Sequence, residues 1–258
     1  MSFQSLVFAF LGLYYRLFSQ VKYQESQAAL PAPKQQATND TGGNEELPSA
    51  PLVDILDRLA MDQFQIAALV KSERYFRDCR QWQKLRNCYH PNASETRIRV
   101  GAFKGNIDGF MNLVQLTTMP GLKMIHLIDP VDIDIRGSKG VVVAFETTVN
   151  RFEHQKQEFE LESLSRIVFR VRKIDGKGWK LCHWDTIYNR DSVKAVDGKT
   201  AVPDIGEAGT AARKSYRHLA WLISLKGVKM PMDLSGDDEP NTVADVFKDA
   251  AKWLENEA

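Results

Sequence analysis

The chain of 258 residues carries 34 Lys and Arg against 33 Asp and Glu, a formal net charge of +1. That length suits one large domain or two small ones. The hydrophobic fraction of 43% supports a buried core and excludes wholesale disorder, and the lack of a basic excess argues against nucleic acid as a partner. Cys79, Cys88 and Cys182 cannot close a disulfide framework, and no C-x-x-C pair offers a zinc site. The expected setting is a reducing, cytoplasmic compartment.

Residues 1–21 read as an apolar N-terminal helix. The run SLVFAFLGLYY is shorter than the ~20 residues of a bilayer span, and it lacks the preceding basic residues of a secretory signal. Two readings stand, a helix lying in a membrane interface as a weak tether and a helix packed on the domain. Residues 22–51, rich in Pro, Gly, Gln and Asn, read as a flexible linker.

Apolar spacing predicts a helix over Asp54–Phe76, through Leu59, Phe64 and Val70, and a shorter one over Arg80–Cys88. A third is predicted over Gly105–Thr118, stopped by Pro120-Gly121. Four β-rich runs follow, Lys123–Ile135, Val141–Phe152, Glu158–Arg172 and Trp179–Tyr188, with Gly-containing turns after the first and third. Helices followed by an antiparallel meander argue an α+β fold with helices on one face of a sheet. Two more helices are predicted over Thr210–Leu225 and Val243–Leu254, fit to cover the domain or to form a homo-oligomer. The expected division is a domain over 52–192 and a helical tail over 193–258. Asp129, Asp132 and Asp134 do not share one strand face and read as solvated carboxylates, so no metal site is predicted.

The segment Tyr75-Phe76-Arg77-Asp78-Cys79-Arg80-Gln81-Trp82 precedes Leu85 and the turn Tyr89-His90-Pro91-Asn92. His126 lies early in the first long strand, and Asp185 to Asp191 form the exit of the last. In this order and spacing, the motifs resemble the SnoaL-like branch of the nuclear-transport-factor-2-like superfamily, and the tail is similar to that of its fungal members. The resemblance implies a cone, with a curved antiparallel sheet covered by about three helices around an apolar pocket. It implies a small apolar oxygenated ligand and no cofactor. Some members of that branch are dehydratases or isomerases; others only bind ligands or partners.

Carried over residue by residue, the resemblance makes His126 a base and Asp78 the carboxylate that orients it. Tyr75 and Arg151 become candidate polarising groups. Ser165, Trp82, Phe145 and Ile167 become candidate substrate contacts. Arg77 stands where the dehydratases have a Tyr, and Ile167 where they have an Asn. A plainer reading stays open, because Asp78 followed by Gln81 is also a capping-box pattern for the second helix.

Overall fold

The computed structural model describes residues 52–117 and 123–255. The apolar helix and the linker predicted within residues 1–51 lie outside the described residues. Helix α1 (Leu52–Asp78) extends the predicted helix by two residues at each end. Its C-terminal half turns Ile66, Val70, Glu73 and Arg74 inward at helical spacing, and all four are buried. Its N-terminal half leaves Ile55, Leu56 and Phe64 exposed, although periodicity places them on an apolar face. Helix α2 (Trp82–Asn87) seats Leu85, and α3 (Ile107–Thr117) seats Ile107, Phe110 and Met111. Together they cover one face of the sheet.

Two short strands, β1 (Arg97–Val100) and β2 (Phe103–Gly105), precede α3 and are not expected from the sequence. The long meander is β3 (Lys123–Arg136), β4 (Lys139–His154), β5 (Gln157–Ile174) and β6 (Gly178–Ala195). The six strands run in the order β2-β1-β6-β5-β4-β3, and the sheet is curved and unclosed. All neighbours are antiparallel except β1 and β6, which pair in parallel. The β3–β4 turn uses Gly137 at φ 58°, as its sequence suggests, whereas the β4–β5 turn places Gln155 and Lys156 at φ 51° and 64°. Non-glycine residues tolerate that left-handed region at a cost of roughly 1–2 kcal/mol each.

The main core lies between the inner sheet face and the helices, where Ala144, Ile167, Phe169, Leu181 and Trp184 meet Ile66, Val70, Leu85 and Ile107. Burying a large apolar side chain of this kind contributes about 1.5–3 kcal/mol. Helix α4 (Gly206–Thr210) leads to α5 (Arg217–Ser224), whose Trp221 packs on Phe152 at 5.9 Å between ring centroids. Helix α6 (Pro240–Glu255) lays Val246 and Ala250 on Val141, Val168 and Ile187, so part of the second sheet face is also buried. No helix of the described residues is long and apolar enough to cross a membrane.

Candidate functional site

Helix α1 ends in a tight reversal. The Cys79 N–H bonds to the Tyr75 carbonyl at 2.9 Å and the Gln81 N–H to the Phe76 carbonyl at 2.8 Å. Arg80 takes φ 55° between them, the left-handed closure common at helix ends. Asp78 therefore sits in the last turn, at the negative end of the helix dipole, where a carboxylate does not stabilise the helix. Its partner is on β3. Oδ1 meets His126 Nδ1 at 2.6 Å, and Oδ2 accepts the His126 backbone N–H at 2.8 Å. The capping reading is overturned, because α2 is capped at Gln81 and receives no side-chain hydrogen bond there.

Two N–H donors converging on one carboxylate put the proton of His126 on Nδ1. Nε2 keeps its lone pair, in a ring that lines a cavity of about 730 Å³. Burial, reinforced by the Arg77 and Arg74 charges, holds the imidazole well below its ordinary pKa, so it is neutral at pH 7. Burial raises the Asp78 carboxyl, against the pull of the His126 backbone N–H and Arg77.

The cavity floor is the inner face of the sheet. Glu146, Ser165 and Tyr188 share one register row across β4, β5 and β6, and His126, Thr148 and Ser163 share another across β3, β4 and β5. Glu146 is bonded to the buried Arg74, which also bonds Glu73, and Glu73 in turn accepts the Tyr89 hydroxyl at 2.9 Å. Burial works to raise the Glu146 carboxyl, but the Arg74 and Arg77 charges and the Arg74 hydrogen bond outweigh it and hold it ionised. The Tyr188 hydroxyl accepts the Gly101 N–H at 2.8 Å, leaving its own proton to donate. Burial pushes that phenol up, so it stays protonated. Phe103, Phe110 and Leu113 make one apolar wall, and Leu219 and Ile223 of α5 make another.

The expected residues divide. Asp78, His126, Trp82 and Ser165 line the cavity, whereas Tyr75, Arg151, Phe145 and Ile167 do not. Tyr75 is 58% exposed. It lies two residues from both Glu73 and Arg77, about 200° around the helix from each. Arg151 and Phe145 share the outward parity of β4, where Arg151 bonds Glu160 at 2.5 Å and Phe145 is 56% exposed. Ile167 is on the inner face but packed wholly in the core. Arg77, Glu146, Asn150 and Tyr188 also line the cavity, and none of them is expected there from the sequence. The polar alternation Glu146, Thr148, Asn150 is a usable signal for a polar inner face, and Arg77 is conspicuous as the replacement of a Tyr.

Residues 58–185 match the family model of the SnoaL-like domain. They are a SnoaL-like domain. Pea pathogenicity protein 2 of Fusarium vanettenii is 25% identical over 213 residues, which span 78% of this chain and 89% of that protein. A PEP2-like protein of the same fungus is 25% identical over 215 residues, with the same coverage. Among solved structures, a putative scytalone dehydratase from Novosphingobium aromaticivorans is 15% identical with a TM-score of 0.44. It covers 59% of this chain and 99% of its own. Elements beyond the SnoaL-like match also build the cavity, because Tyr188, Leu219 and Ile223 line it.

Proposed function

We propose that the SnoaL-like domain binds a largely apolar oxygenated small molecule and removes a proton next to its carbonyl, acting without a cofactor as a dehydratase or isomerase. The single observation that carries this reading is the contact of His126 Nδ1 with the Asp78 carboxylate at 2.6 Å on the wall of the cavity. Nε2 takes the proton, and Asp78 stabilises the imidazolium that forms. The electron pair moves to the carbonyl oxygen, which the Tyr188 hydroxyl is suited to stabilise. In a dehydration the enolate expels a neighbouring hydroxyl, which leaves as water with the proton returned from Nε2. In an isomerisation the same proton returns to another carbon.

The test uses apolar β-hydroxy ketones and their dehydrated counterparts in D2O, followed by NMR for water loss and for deuterium entry next to the carbonyl. The expected result is turnover that His126→Ala lowers by about 10²–10⁴-fold and Asp78→Asn lowers by less. Turnover undiminished in His126→Ala would remove the proposal.

A second reading is a ligand-binding module that catalyses nothing. It is favoured by the outward placement of Tyr75 and Arg151, which leaves two of the candidate polarising groups outside the cavity. Ligand binding with no deuterium exchange on any compound would select it.

A further inference from the structure

Arg77 is a cavity-lining cation that forms no ion pair among the described residues. Each carboxylate near it is already engaged, Asp78 by His126 and both Glu73 and Glu146 by Arg74. Among the described residues Arg77 forms no ion pair, and its Nε is buried without a hydrogen-bond partner. Its guanidinium carbon lies 5.3 Å from the Trp184 ring and 5.9 Å from the Phe110 ring. Ring contacts of this kind hold a guanidinium while leaving its in-plane N–H groups free to donate. Arg77 is half-buried, and a charge drawn partly out of water is costly unless it finds a partner.

The cavity lining as a whole carries four cations, Arg77, Arg80, Lys123 and Lys226, against two carboxylates, Asp78 and Glu146. That is a local positive excess in a chain whose net charge is only +1. Such an excess draws anions into a cleft.

We infer that the ligand is an acid, with an apolar body and one carboxylate, and that the carboxylate seats on the Arg77 guanidinium. This rests on the proposed function in sharing its cavity, and it narrows the ligand class. A carboxylate accepts two N–H bonds from a guanidinium in parallel, which fixes orientation as well as charge. Arg77 and Asp78 are consecutive in one helical turn. The same turn therefore sets the anchor and, through His126, the base.

The experiment titrates the full chain by calorimetry with two matched pairs, decanoate with decanamide and 4-phenylbutanoate with 4-phenylbutanamide. The expected result is an acid bound at least about tenfold more tightly than its amide, the discrimination that charge-assisted hydrogen bonds provide. Arg77→Gln should abolish that preference while the amide affinity stays within about threefold, and Arg77→Lys should keep part of it. Equal affinity of acid and amide overturns the inference, as does binding of neither acid, or a preference that survives Arg77→Gln. The wild-type comparison needs no variant to fold. His126→Ala separates the two readings. If it keeps the acid preference and turnover is absent throughout, the catalytic reading alone fails. If deuterium exchange depends on His126 while no acid preference exists, this inference alone fails.

Discussion

His126 is held neutral by its surroundings, and that has consequences at two pH-dependent levels. For a base, a lowered pKa keeps the lone pair available below the ordinary histidine range. The acid limb of any His126-dependent rate should therefore fall below pH 6.5, the ordinary value for the ring. For stability, the unfolded chain binds a proton at His126 near pH 6.5 and the fold does not, so stability is lost as pH falls below that value. His183, pushed down to about 4 by burial and by Arg170, adds a loss of the same sign. Urea midpoints measured from pH 7.5 to 5 should decline steadily, and the decline should be shallower in His126→Gln. A decline of equal slope in that variant would mean that His126 is not held neutral by the fold.

At the scale of elements, the cavity depends on one long-range cap. Asp191 of β6 accepts the Leu219 N–H at 2.7 Å and His218 Nδ1 at 2.8 Å, and so fixes the first turn of α5 against the sheet. Asp191→Ala removes that cap and should cost about 1–2 kcal/mol, read from urea unfolding. It should also weaken ligand binding, because Leu219 and Ile223 form a wall of the cavity. Unchanged affinity would show α5 to be dispensable to the site. Length and alternation also explain which elements are legible in the sequence. The long strands announce themselves through alternation and the glycines of two hairpin turns. β1 and β2, with four and three residues, are too short to show any periodicity. The inner face of β4 is ambiguous because both parities carry apolar residues, Val142 and Ala144 in the core and Val141 beneath α6. Phe145 accordingly reads as a pocket residue and lies on the outer side. The Asp78–His126 pairing is reachable only through family resemblance, since 48 residues separate the two. That Arg77 forms no ion pair among the described residues is a property of three-dimensional packing, in which Arg74 captures both glutamates.

The described residues join a sheet packed on one face, and in part on the other, to a cavity walled by smaller pieces. The middle strands are held from one side by the helical core and in part from the other by α6. The β1–β2 turn, α5 and the segment after it contribute Ala102, Leu219, Lys226 and Val228 to the cavity, and Lys226 and Val228 are themselves exposed. Elements with fewer buried contacts open at lower free energy than the sheet. A ligand that binds only the closed form stabilises it by about 2.7 kcal/mol at one hundred times its dissociation constant. Hydrogen exchange on the full chain should therefore be slowest in β4–β6 and faster in α5 and residues 225–230. Adding the tighter-binding acid of the calorimetric pairs should slow exchange in those faster segments and leave α6, on the opposite face, unchanged. Slowing confined to α6 would place the ligand on the outer face of the sheet, and neither Arg77 nor His126 could then touch it.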